Sequence, residues 1–176
     1  MLDFRALWNK ALTFDEFVAA SAEEHRGLWQ DVYRLARIPE RVEMALAPGE
    51  KRHLLVLAED WCGDASNTIP VLARWAKGVD GLSLRILRRD EHPEVMDEYL
   101  TNGSRSIPIV IALDEEFNEL GSWGPRPREL QAWVMANKTT MDQAERYKEV
   151  RRWYARDRGR TTIREVLEAM GVKEEV

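Results

Sequence analysis

The sequence has a single cysteine, Cys62, among 176 residues, so no disulfide can form within the chain. Its three histidines, His25, His53 and His92, show none of the spacings that bring ligands onto one metal, and no metal site is expected. No stretch approaches the roughly 18 consecutive apolar residues of a membrane span, so no membrane partner is expected. The first residues, Met1-Leu2-Asp3-Phe4-Arg5, carry an early acid and no apolar core, and read as neither a signal peptide nor an anchor. Positive charge is not in excess. The 26 Lys and Arg face 31 Asp and Glu, and the net charge of −5 argues against nucleic acid as a partner. Repeats, low-complexity segments and long linkers are absent too, so residues 1–176 read as one domain. An apolar content of 44% and a charged content of 32% describe a soluble globular protein with a full hydrophobic core. Cytoplasmic residence is the expectation, and there a thiol is kept reduced.

Residues 1–48 read as helices placed ahead of the main fold. Thr13-Phe14-Asp15-Glu16 fits a capping box, and Leu12 and Phe17 occupy the positions of a hydrophobic staple around it. The apolar stripe at 14, 17, 18, 28, 32 and 35 is interrupted near Ser21 and His25. Pro39 starts a short helix through Ala47, which Pro48-Gly49 ends. Residues 53–58 form a strand apolar on both faces, and Gly63 to Lys77 a helix containing Pro70. In a strand from Leu82 to Arg88, Leu82, Leu84 and Ile86 alternate with Ser83, Arg85 and Leu87. Pro93 opens a helix that Asn102-Gly103 is expected to cap in the left-handed conformation. Pro108 to Leu113 and Glu119 to Ser122 form a strand pair around the acidic turn Asp114-Glu115-Glu116. The next helix starts at Pro127 or Arg128, with Leu130, Trp133 and Val134 inward.

Residues 138–176 form a second helical extension. Met141, Ala144, Tyr147, Val150 and Tyr154 make one stripe. Thr162-Ile163-Arg164-Glu165 predicts a second capping box ahead of Ile163, Val166, Leu167 and Met170, with Gly171 as the stop. Residues 145–164 also hold eight Arg or Lys against three acids, the pattern of a solvated helix face or of a contact for an acidic partner, RNA or a membrane surface.

Cys62 lies between the strand Leu54-Leu55-Val56-Leu57-Ala58 and the helix from Gly63. At a helix N-terminus a thiol meets unpaired backbone N–H groups and the positive end of the dipole, and both favour the reactive thiolate. Glu59, Asp60 and Asp64 oppose ionisation by like charge, and Arg105 and Arg126 are the candidates to offset them.

Trp61-Cys62-Gly63-Asp64-Ala65 resembles the W-C-G-x-C site of thioredoxins, with Ala65 at the position of the second cysteine. Ser106-Ile107-Pro108-Ile109-Val110-Ile111 supports the resemblance, with Pro108 lying 46 residues beyond Cys62. Proline opening a β-rich run is unusual, because it cannot donate to a sheet ladder. Thioredoxin-like proteins carry a cis-proline in such an Ile-Pro or Val-Pro pair beside the active cysteine. The order of elements matches theirs over about residues 50–137. More narrowly, the chain is similar to a bacterial branch that combines W-C-G-D with L-T-N-G-x-R-S-I-P and W-G-P-R-P. Those motifs stand here at Leu100 to Pro108 and Trp123 to Pro127.

The resemblance implies an α/β fold, a three-layer α/β/α core at 50–137 with a mixed sheet and helical extensions at 1–48 and 138–176. It implies Cys62 as nucleophile, and Trp61, Gly63, Asp64, Ile107, Pro108, Trp123, Gly124 and Arg126 as substrate-binding residues. Ala65 cannot release a mixed disulfide as a second cysteine would. Thioredoxins also carry a buried aspartate six residues before the first cysteine, where this chain has Val56. Both departures point to monothiol thiol–disulfide exchange with a protein or peptide substrate, completed by an external small thiol such as glutathione and needing no cofactor. An iron–sulfur cluster shared between Cys62 and glutathione, as in monothiol glutaredoxins, stays open, although C-G-D-A departs from their C-G-F-S site at two positions. The alternative is a redox-silent module that holds an extended peptide or a protein in the same groove by strand addition.

Overall fold

The structure, a computed structural model, describes residues 1–43 and 45–172. Strands β1 (Arg52–Ala58), β2 (Leu82–Arg88), β3 (Ile109–Asp114) and β4 (Glu119–Trp123) form one mixed sheet in the order β2-β1-β3-β4. β1 runs parallel to β2, with Val56 opposite Ile86, and antiparallel to β3, with Val56 opposite Val110. β3 and β4 are antiparallel, with a register shift at Ala112/Leu113. Helix α5 (Gly63–Gly78) makes the crossover that the parallel pair requires.

The alternation of side chains along these strands separates two cores. Leu54, Val56, Ile86, Val110 and Ala112 pack against α5 and against helices α2 (Phe14–Ala20), α3 (Glu23–Leu35) and α9 (Arg160–Ala169). On the other face Leu55, Leu57, Ile109, Ile111 and Leu113 pack against α1 (Phe4–Lys10) and α6 (Pro93–Met96). The result is the expected three-layer α/β/α arrangement with helices added at both ends.

The N-terminal extension starts as its sequence dictates. Thr13 and Glu16 form the reciprocal capping box of α2, and Leu12 pairs with Ile86 along the outer edge of β2. The break in the apolar stripe is real: α2 stops at Ala20, and α3 begins at Glu23. The helix expected from Pro39 is short, with α4 spanning Glu40–Glu43, and residues 45–49 are not helical. Met44, which that expectation included, lies outside the described residues, as do 173–176 of the C-terminal extension.

Two expectations are corrected. Asn102 and Gly103 do adopt positive φ, but α6 ends at Met96 and they cap no helix. They form a tight turn in which Thr101 and Ser104 exchange both backbone hydrogen bonds at 2.9 Å, the usual role of Asn-Gly between short paired segments. The second capping box is also absent. Helix α8 (Gln143–Asp157) ends at Arg158 in the left-handed region, and α9 starts at once from Gly159, whose φ of +77° suits only glycine comfortably. Thr162 therefore lies inside the first turn of α9, and Glu165 is buried rather than reaching back to a cap. Gly171 does end α9 in the left-handed conformation, as expected. Helix α7 (Arg128–Asn137) and α8 pack as an antiparallel-type hairpin through Leu130, Val134 and Tyr154.

Candidate functional site

The loop leaving β1 turns directly into α5, and Cys62 is the N-cap of that helix. Its Sγ accepts the Ala65 N–H at 3.5 Å, and its S–H donates to the Ile107 carbonyl at 3.5 Å. The Ile107–Pro108 bond is cis, and Ile107 and Pro108 stand beside Cys62 as the sequence predicts. Gly124, also followed by a cis bond, lies with φ +123° against the Pro108 carbonyl, where a Cβ would collide with it. Ala65 and Val56 are fully buried.

The helix N-terminus does not win at this thiol. Burial pushes the Cys62 pKa up, and the Asp64 carboxylate adds to the rise. The Ala65 and Asp64 N–H groups and Arg126 pull the other way without overcoming it. The bond to Ile107 acts in the same direction as burial, because only the neutral thiol can donate it.

The acids around the thiol have separate partners. Asp60 accepts from Ala22 N–H, lies 2.6 Å from His25 Nδ1 and pairs with Arg88 at 2.9 Å. Glu59 accepts the Asp90 N–H and lies 3.4 Å from Arg88. Of the three, Asp64 is the one whose charge raises the Cys62 pKa most. Its carboxylate accepts from the Tyr154 hydroxyl at 2.8 Å and pairs with Arg126 at 2.9 Å, while Arg126 also donates to Gln131 at 2.8 Å. Burial, followed by the Asp64 charge, raises the Tyr154 pKa far above the ordinary phenol value, so Tyr154 is a fixed donor.

A cavity of about 680 Å³ opens beside Cys62. Of the residues read from the sequence, Trp61, Cys62, Gly63, Asp64 and Arg126 line it. Trp61 is 54% exposed, with the Arg89 guanidinium 5.1 Å above its ring. The turn motif contributes Thr101, Asn102, Ser104 and Ser106.

Trp123 is not in the wall. It is buried, and its indole N–H donates to Glu165 at 2.9 Å, so the aromatic ring packs toward α9. The buried carboxylate supplied by α9 is the physical reason, since an indole N–H taken from water needs an acceptor. Arg105, expected near the thiol, pairs instead with Asp97 at 2.8 Å on the surface. Sequence reasoning missed Gln131, Lys138, Arg146, Val150 and Arg151 in the lining and Tyr154 beneath it. Their signals were the apolar stripe of α8, which faces this opening as well as the core, and the basic run starting at Arg146. Among the described residues no group of three or more His, Cys, Asp and Glu is placed to hold a metal. None of the described helices is long and apolar enough to cross a membrane.

Comparison with known proteins agrees with this fold. A thioredoxin family model matches residues 11–148, most of the chain. The chain is similar to the crystal structure of a protein of unknown function from Pseudomonas aeruginosa, at 22% identity and a TM-score of 0.77, over 97% of this chain and 98% of that one. It is also similar to the crystal structure of an HIV epitope-scaffold, at 20% identity and a TM-score of 0.75, with the same coverage. No curated protein matches it.

Proposed function

The chain belongs to the thioredoxin family, and from that premise we propose that it carries out monothiol thiol–disulfide exchange at Cys62 on protein or peptide substrates. The observation that carries this reading is the position of the sulfur: it caps α5, lies 3.5 Å from the Ile107 carbonyl and opens on a cavity of ligand size. Ala65, fully buried where a second thiol would stand, leaves the mixed disulfide to an external small thiol such as glutathione. Such a cycle needs no cofactor and suits a reducing cytoplasm. The W-C-G-D-A sequence supports placing the chain in a bacterial branch of the family that lacks the resolving cysteine.

The test has two arms. Oxidised glutathione is expected to give a 1:1 adduct at Cys62 by mass spectrometry. Insulin disulfides are expected to show no catalytic reduction with thioredoxin reductase. Turnover in the coupled assay refutes the monothiol reading. A second reading, a redox-silent binding module, draws on the raised pKa of Cys62, which leaves little thiolate at neutral pH. Complete absence of an adduct favours it.

A further inference from the structure

The chain carries an excess of acid, but the cavity at Cys62 does not. Arg126, Lys138, Arg146 and Arg151 line it against the single carboxylate of Asp64. Asp64 is already matched by Arg126. Lys138, Arg146 and Arg151 have no carboxylate partner among the described residues. Arg146 is nonetheless held in place, because its guanidinium donates to the Lys138 and Met141 carbonyls in the turn between α7 and α8 at 3.2 and 3.1 Å. Three cations without counter-charges around an apolar-walled cavity form a field that selects an anion. Apolar Leu28, Val134, Met135 and Val150 leave room for an aliphatic body, and Asn67, Asn102 and Gln131 offer amide groups. The volume of about 680 Å³ has room for a molecule of a few residues.

We propose that this cavity binds the small thiol of the exchange cycle, a peptide-like compound with two or more carboxylates, and that Lys138, Arg146 and Arg151 bind those carboxylates while Cys62 meets its sulfur. The inference rests on the exchange reading for its chemistry and deepens it by naming the co-substrate class and the residues that select it. In the reverse step, the Cys62 thiolate attacks one sulfur of the compound's disulfide. The Cys62–S–S–R bond forms, the R–S–S–R bond breaks, and the departing thiolate takes a proton from water. Cys62 is oxidised, and one half of the compound is reduced. The C-terminal extension thereby supplies specificity that the thioredoxin core lacks.

The experiment compares two disulfides on one protein. Rate constants for mixed-disulfide formation at Cys62 are measured by mass spectrometry with oxidised glutathione, which is anionic, and with hydroxyethyl disulfide, which is neutral. The variant Lys138→Gln/Arg146→Gln/Arg151→Gln is expected to lower the glutathione-to-hydroxyethyl rate ratio about tenfold. The same ratio in wild type should fall as salt is raised, through screening. A ratio unchanged by the triple substitution overturns the proposal and leaves the exchange reading intact. Separately, Cys62→Ser protein is titrated with S-methylglutathione, which has the charges and cannot react. Saturable binding that weakens about tenfold in the triple variant supports the pocket even if wild type forms no adduct. Absence of saturable binding overturns it.

Discussion

The two helical extensions hold opposite ends of one short loop, and they leave it in different states. On the N-terminal side, α3 closes on Asp60. His25, Ala22 N–H and Arg88 converge on its carboxylate, and the Trp29 indole donates to its carbonyl at 2.9 Å. Trp29 and Phe17 are fully buried beneath. On the C-terminal side, α8 delivers one hydroxyl, from Tyr154, to Asp64, and its Tyr147, Val150 and Arg151 line the cavity. Interlocked aromatics with matched polar groups make a rigid seat. A single charge-assisted bond beside unpaired cations leaves space that a ligand can fill. The same loop is thus fixed from one side and kept open from the other.

Removing the seat should have the largest effect. Trp29→Ala deletes a fully buried ring and the donor to the Asp60 carbonyl, and is expected to cost about 3–5 kcal/mol in chemical denaturation. Tyr147→Ala, on the cavity side and half exposed, is expected to cost under about 0.5 kcal/mol. Comparable losses at the two positions would mean that α8 is as tightly packed on the loop as α3, and the contrast would fail.

A charge test sharpens the same side. Burial alone would raise the Asp60 pKa, but His25, Arg88 and the Ala22 N–H hold it below the usual carboxylate value. A depressed folded value stabilises the protein above the unfolded pKa of about 3.9, and that contribution is lost as pH falls through the folded value. Asp60→Asn should therefore cost about 1–3 kcal/mol at pH 7, because Arg88 keeps Glu59, and the gap to wild type should narrow as pH falls below the ordinary carboxylate range. A gap that stays the same size from pH 7 down through the acid range, read from urea unfolding, would show that the carboxylate charge is not what matters there.

The core was legible because its signals are local or periodic. The Thr13–Glu16 box, the buried run of β1, the Ile107-Pro108 pair and the left-handed Gly171 each follow from a few neighbouring residues. The candidate site was legible only where its residues come from the motif itself: Trp61, Cys62, Gly63, Asp64 and Arg126 line the cavity and were singled out from the sequence, while Tyr154 and Arg146 were not. Tyr154 meets Asp64 across 90 residues, and no pattern in the sequence encodes that meeting. Trp123 went wrong for the matching reason. Its partner is Glu165, which the sequence presented as a capping residue and the fold buries at 4% exposure. A capping-box pattern describes which bonds are possible, and Gly159 pre-empted it by starting α9 three residues early.

The smallest predicted change tests whether the electrostatics of the thiol belong to the open side alone. Burial raises the Cys62 pKa and Asp64 adds to it, so alkylation by iodoacetamide should still be gaining rate with pH above about 9, as thiolate appears. Asp64→Asn removes the like charge and leaves Arg126 facing the sulfur without its counter-ion. Both changes favour the thiolate, so the rate at pH 7 should rise about threefold, and the whole curve should move to lower pH. The amide oxygen can still accept from Tyr154, which limits the stability cost to about 1 kcal/mol. Arg126→Gln should shift the curve in the opposite direction, because Arg126 lowers the Cys62 pKa. Asp60→Asn should leave it in place, since that carboxylate is committed to His25 and Arg88. If Asp60→Asn shifted the alkylation curve as far as Asp64→Asn, the seat and the opening would not be separate, and both extensions would set the reactivity of Cys62.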